Sequence, residues 1–210
     1  TQSLDSAQKR IEELNYDSRK YLFDYDDILN KQRRIVYSER RKILESECVR
    51  AKILSYAEQY ICATLTEVKQ NTLTLNESIK KFENLFGKDL SLLSSKNAKV
   101  LTDDFSWSEL KLYLFNEFWL TYQLKIAELS VYGDSIIENL ERSIILINTD
   151  RIWREHLQKM TLLREAVGWR GYGQRNPLYE YKQEAFYLFE NRKKVLRHVV
   201  IYDLLRSAIL

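Results

Sequence analysis

The sequence predicts an all-α fold built from long helices, and three observations carry that reading. Only 5 Gly and 1 Pro occur in 210 residues, far below their usual share. The first glycine is Gly87 and the proline is Pro177, so residues 1–86 contain neither punctuator of turns. With 45% hydrophobic and 12% aromatic residues, the chain has the material for a core and does not read as disordered. A β-sandwich or a doubly wound α/β fold needs many tight turns and is excluded. The length suits one sizeable domain or two small ones.

The first expected part is a long helix over residues 1–58. Leu4, Ala7, Ile11, Leu14, Ser18, Tyr21, Tyr25, Ile28, Gln32 and Ile35 recur at the 3-4 spacing of an amphipathic seam. Ile43, Ile53, Tyr56 and Tyr60 continue it less cleanly. Unbroken over some 55 residues, such a rod would reach about 80 Å and serve as a spine for other bodies. Polar Ser18 and Gln32 in the seam argue against a simple coiled coil. Thr1 already lies inside the periodic pattern, as expected of a piece excised from a longer chain.

Residues 59–132 form the second part, a small helical subdomain. Thr74 or Asn76 caps a short helix ending near Phe86-Gly87. Ser91–Lys99 reads as a loop. Thr102-Asp103-Asp104 opens another helix whose aromatic face holds Phe105, Trp107, Leu110, Leu114 and Phe118. The third part, residues 133–210, is an antiparallel two-helix hairpin. Ile136, Leu140, Ile144, Ile147, Trp153, Leu157, Met160, Leu163 and Val167 line its first helix. Tyr181, Ala185, Leu188, Val195, Val199 and Tyr202 line the second. The tip loop, 168–176, holds three of the five glycines, and Pro177 suits the first turn of the returning helix. Trp153 falls on the apolar stripe with Leu157 and Met160, which predicts a packing role rather than ligand binding.

Charge separates by segment: +1 over 1–60, −4 over 61–150 and +6 over 151–210. The total of +3 is too weak to announce nucleic acid, and no nucleic-acid partner is expected. The basic last quarter suits a negatively charged or membrane-proximal partner. Cys48 and Cys62 match no zinc spacing and read as reduced structural thiols. No apolar run is long enough for a membrane span, and the polar start of the sequence leads us to expect no signal peptide. A phosphate-binding Gly-x-x-x-x-Gly-Lys-Ser/Thr is absent. Glu155-His156 lacks the second histidine of a zinc-protease helix, so His156, like His198, reads as a packing residue. Asp24, Asp26 and Asp27 read as ion-pairing groups aimed at another domain. No complete catalytic site and no metal site emerge.

Three blocks then become recognisable. They are Ala7-Gln8-Lys9-Arg10-Ile11-Glu12, Asn15-Tyr16-Asp17-Ser18-Arg19-Lys20 and Tyr25-Asp26-Asp27-Ile28-Leu29-Asn30-Lys31-Gln32-Arg33-Arg34. With Trp153-Arg154-Glu155-His156-Leu157 and the run from Arg170 to Phe186 (Arg-Gly-Tyr-Gly-Gln-Arg-Asn-Pro-Leu-Tyr-Glu-Tyr-Lys-Gln-Glu-Ala-Phe), they resemble the SecA family of preprotein translocase motors. The middle, about 60–130, fits the family's variable wing by position and helical character.

The resemblance implies a long scaffold helix, a helical wing and a two-helix finger that also regulates ATP hydrolysis, the C-terminal part of that family. It implies an ATP-driven parent that pushes unfolded preproteins through the SecY/SecE/SecG channel. ATP and Mg would sit in nucleotide-binding domains outside this chain, so this chain alone should not hydrolyse ATP. Arg19 and Asp26 would couple the scaffold helix to those domains, exposed and unpaired within this chain. Trp153 would clamp finger to scaffold, and in the parent hold ATP hydrolysis in check. Tyr172, with Arg170 and Arg175, would touch the preprotein and the channel mouth. An anionic membrane surface is a further expected partner. Scarce Ala (9) beside abundant Ile (16) and Tyr (14) points to a low-GC coding genome and suits a plastid-encoded or cyanobacterial member, or one from a low-GC heterotrophic bacterium. The expected location is then the plastid stroma or cytoplasm, peripheral on the thylakoid or inner membrane. The competing reading is a stand-alone helical interaction or chaperone module.

Overall fold

The computed structural model describes residues 2–46, 48–70, 73–87, 107–131, 133–170 and 176–206. Among these, six helices occur and no strand: α1 (Gln2–Glu45), α2 (Arg50–Lys69), α3 (Leu75–Phe86), α4 (Trp107–Ser130), α5 (Asp134–Arg170) and α6 (Pro177–Arg206). The fold is all-α. Compactness groups the chain into two units: Thr1–Lys42 with Arg151–Arg192, and Ile43–Asp150 with Lys193–Leu210. Helices α1, α5 and α6 each supply a stretch to both.

The long first helix is shorter than expected. It ends at Glu45 with 44 residues, although neither Gly nor Pro stops it. The Ser46 hydroxyl donates to the Cys48 carbonyl at 2.8 Å. An Arg142 guanidinium, 96 positions away, donates to the Ser46 carbonyl at 2.8 Å. Helix-end carbonyls need partners, and a tertiary one is in place here. The buried Val49 then starts α2, its carbonyl accepting from the Lys52 and Ile53 amides.

In this second unit α2 packs against α3 and α4. Ile53, Tyr56, Ala57, Ile61 and Leu65 of α2 are buried, as are Phe82 and Leu85 of α3 and Leu114, Phe118 and Tyr122 of α4. α3 carries both caps read from sequence. Thr74 and Glu77 form a reciprocal capping box, and Gly87 closes the helix at φ 68°. The expected aromatic face of α4 is buried at Leu114 and Phe118, while Trp107 stays partly exposed beneath Lys69, whose ammonium lies 4.9 Å from the ring centroid. Phe105, the loop at Ser91–Lys99 and the Thr102–Asp104 helix start lie outside the described residues.

The early stripe of α5 is displaced from expectation. Ile136 and Ile147 are exposed, and Ile137, Glu141, Ile145, Asn148, Thr149 and Ile152 are buried instead. Polar residues sit on that buried face because neighbours receive them. The Tyr122 hydroxyl donates to Glu141 at 2.5 Å, and the Asn148 amide donates to Asp203 at 2.8 Å. Burial and then the Glu141 carboxylate push the Tyr122 hydroxyl well above its ordinary pKa, so Tyr122 remains the donor. Late in α6 the buried positions likewise shift, to Leu196, Val200, Ile201 and Leu204 rather than Val195, Val199 and Tyr202.

Candidate functional site

The candidate site is assembled in the first unit, where residues 25–39 of α1 meet α5 and α6. Three α1 positions at heptad spacing set the register. Tyr25 meets Tyr181, ring centroids 4.7 Å apart. Gln32 meets Ala185, and Glu39 meets Arg192 at 3.8 Å. Numbers rise together, so α1 and α6 run parallel. Against α5 they run opposite: Asp26 meets Arg164, Gln32 meets His156, and Val36 packs with Trp153.

Two apolar clusters fill this three-helix region. Tyr25, Met160, Leu163, Val167, Tyr181 and Ala185 form one; Val36, Trp153 and Phe189 form the other. The expected seam residue Ile35 is exposed and its neighbour Val36 is buried. Burial pushes the Tyr25 and Tyr181 hydroxyls up, Tyr25 also through its bond to the Tyr21 hydroxyl at 2.8 Å.

A polar link lies between the clusters. The Gln32 amide NH2 donates to the Ala185 carbonyl at 3.1 Å, which turns its oxygen toward His156 Nε2 at 2.8 Å. That oxygen can only accept, so Nε2 carries the proton. Burial first, then the nearby Arg192 and Lys159 cations, lower the His156 pKa to about 4. The imidazole is therefore neutral near pH 7 and lies against the Trp153 and Phe189 rings at 5.5 and 5.8 Å. One glutamine thus ties three helices together. A buried, neutral, hydrogen-bonded imidazole between two rings holds structure; it does not move protons at pH 7. The sequence marks Gln32 as a polar seam residue and His156 as a packing residue. Nothing in it pairs them across 124 positions.

Each expected site residue has a distinct setting. Trp153 is buried, 6% exposed, beside Val36, Leu29 and Leu157. Arg19 is exposed on α1 and makes no ion pair among the described residues. Asp26 is exposed but not unpaired, as was expected: its carboxylate lies 3.6 Å from the Arg164 guanidinium, because the α5 side chain reaches across from the Tyr25 ring. Asp27 also finds a local partner where another domain was expected, pairing with Lys31 at 2.7 Å one turn on. Arg170 ends α5. Tyr172 and Arg175 lie outside the described residues. After them Asn176 caps α6, its side-chain oxygen accepting from the Leu178 and Tyr179 amides at 3.1 and 3.4 Å, with Pro177 in the first turn.

The first half of α1 differs from the rest. Residues 2–23 are exposed throughout, although the predicted seam runs through them. Leu4, Ile11, Leu14 and Tyr21 are 73, 59, 64 and 48% exposed. An apolar stripe of this length on a monomer marks a surface made to be covered. Among the described residues no group of three or more His, Cys, Asp or Glu is placed to hold a metal ion, and no helix is long and apolar enough to cross a membrane.

Comparison with known proteins gives this arrangement its relatives. A family model described as the SecA Wing and Scaffold domain matches residues 1–208. The chain is 67% identical over 210 residues to the protein translocase subunit SecA of Phaeodactylum tricornutum, covering all of this chain and 24% of that protein. It is 41% identical over 212 residues to that of Porphyra purpurea, covering all of this chain and 24% of that protein. It is 38% identical over 212 residues to that of Trichormus variabilis, covering 97% of this chain and 22% of that protein. The chain spans about a quarter of the length of these curated relatives.

Proposed function

The chain belongs to the SecA family, as its wing and scaffold part, and from that premise we propose that it is the mechanical, substrate-contacting and ATPase-regulating portion of a SecA-type translocase. The longer protein would couple ATP hydrolysis to moving unfolded preproteins through the SecY/SecE/SecG channel. The observation that carries this reading beyond the family match is the uncovered stripe of α1. A scaffold helix whose own chain covers residues 25–39 but leaves Leu4, Ile11 and Leu14 exposed is suited to receive other domains of the same protein. The nucleotide-binding domains are the proposed occupants. Arg19, on that uncovered stretch, and Asp26, at the point where α5 begins to cover it, would transmit the nucleotide state.

These residues do not fit ATP and Mg themselves. The chain has no phosphate-binding glycine loop, and its described residues offer no metal-ligand cluster. Hydrolysis is assigned to the domains outside this chain, and no step of it passes through these residues. The α5–α6 loop takes the substrate side. Gly171 and Gly173 flank Tyr172 in the sequence, and glycines at those positions would let the backbone present one rigid, amphipathic ring to a polypeptide of any sequence. Arg170 and Arg175 would set the loop against acidic groups at the channel mouth. Relatives from algae and a cyanobacterium support a plastid or cyanobacterial setting, with peripheral attachment to an anionic thylakoid or inner membrane surface.

The test is Tyr172→Gly in the longer protein, assayed for preprotein transport into membrane vesicles and for basal ATPase. Transport should be lost with basal ATPase retained. Transport at the parent rate would remove the substrate-contacting role.

A further inference from the structure

The second unit contains a cleft of about 620 Å³ between α2, α3 and the end of α6. We propose that this cleft binds a small phosphorylated ligand with a flat, apolar body. Its volume lies within the range of small-molecule sites, about 300–1,000 Å³. Its charged lining is cationic: Lys81 from α3 and Arg206 from α6 contribute to it, and among the described residues no carboxylate does. Two acids of the surrounding helices act on the lining rings, Glu67 on Tyr60 and Asp203 on His198, and each also has a partner of its own. Asp203 accepts from Asn148 at 2.8 Å, and Glu67 pairs with Lys194 at 3.3 Å.

Each cation is suited to phosphate in its own way. Arg206 is oriented in advance, one Nη donating to the Asn84 carbonyl at 3.0 Å and the guanidinium lying 4.7 Å from the Tyr202 ring centroid. Its other N–H groups remain to form the fork that phosphate oxygens accept. Lys81 makes no ion pair among the described residues and supplies a compact positive charge. Glu77, one turn before Lys81 on α3, lies close enough to feel its charge, and the two cations together still suit a doubly ionised phosphate better than a single carboxylate.

The wall beside them is aromatic. Tyr60 and His198 lie with centroids 5.3 Å apart, and His198 and Tyr202 6.1 Å apart at an interplanar angle of 29°. Phe82 backs Tyr60 edge-on at 6.1 Å. Burial, then the Lys81 charge, lowers the His198 pKa, with Asp203 opposing them. The middle ring is therefore neutral near pH 7 and offers stacking surface and a hydrogen-bonding nitrogen rather than a third charge. Neither ring nitrogen bonds to another described residue, so both are available. A ligand body lying on these rings would place its phosphate toward Lys81 and Arg206.

The probe is 1-naphthyl phosphate, titrated into the 210-residue chain and followed by NMR of the His198 ring and by calorimetry. Inorganic phosphate and 1-naphthol serve as its two halves. Vesicles containing phosphatidylglycerol test whether a lipid headgroup is the source of the phosphate instead. Naphthyl phosphate should bind at least tenfold more tightly than either half and shift the His198 resonances. Lys81→Gln should weaken it about tenfold while leaving the melting temperature unchanged, and Arg206→Gln should do the same if the fold holds. Failure to bind, equal binding of naphthol, binding indifferent to Lys81→Gln, or a response to vesicles alone would each overturn the proposal.

Discussion

His156 and Gln32 show how a buried polar pair is tolerated, because each hydrogen-bonding atom seen in the link has a partner. The cost appears on acidification. An unfolded chain protonates its histidine near the ordinary value of about 6.5, whereas native His156 resists until about 4. The unfolded state therefore binds more protons in this window. Stability is full above about pH 6.5 and declines as pH falls towards 4, by roughly 2–3 kcal/mol at the lower limit. Denaturant melts of the chain between pH 7 and 4 would measure this, and His156→Gln should flatten the slope. Beside it, Trp153→Ala removes a buried ring from contact with Val36 and Phe189 and should cost about 3–5 kcal/mol. Trp153→Phe should recover most of that loss. In the longer protein the Ala variant should also raise basal ATPase, and an unchanged melting temperature would contradict the packing role.

At the scale of the helix, what was legible in the sequence depended on where each end finds its partners. The ends of α3 are local: Thr74 and Glu77 satisfy each other, and Gly87 sits at φ 68° with open space around it. Thr74→Ala should lower stability by about 1 kcal/mol. Gly87→Ala should cost about 1–2 kcal/mol through backbone conformation alone, and circular-dichroism melts of both variants check this. Pro177 is legible for the same reason, while the cap that Asn176 supplies to the Leu178 and Tyr179 amides was not read from the sequence. The end of α1 is not legible, because Arg142 supplies the partner for the Ser46 carbonyl from another helix. The buried face of α5 was misread where Glu141, Asn148 and Thr149 interrupt the apolar period. Periodicity counts apolar residues, and a polar residue with a tertiary partner counts against its own face.

Over the whole chain, the helical class and the family were legible from sparse Gly and Pro and from blocks near both ends, while the covering of each surface was not. The seam from Leu4 to Ile35 reads as one stripe, yet its own chain covers it only from Tyr25 onward. No sequence pattern separates a stripe buried by its own helices from one left for another domain. The same gap hid the Tyr60–His198–Tyr202 wall, whose residues come from helices distant in sequence. The uncovered half of α1 is the proposed coupling surface, and a combined Ile11→Ser, Leu14→Ser and Arg19→Ala variant tests this most directly. In the 210-residue chain these residues are exposed and the melting temperature should stay put. In the longer protein the ratio of preprotein-stimulated to basal ATPase should fall towards one. A ratio equal to that of the parent would show that this face of α1 does not couple the domains.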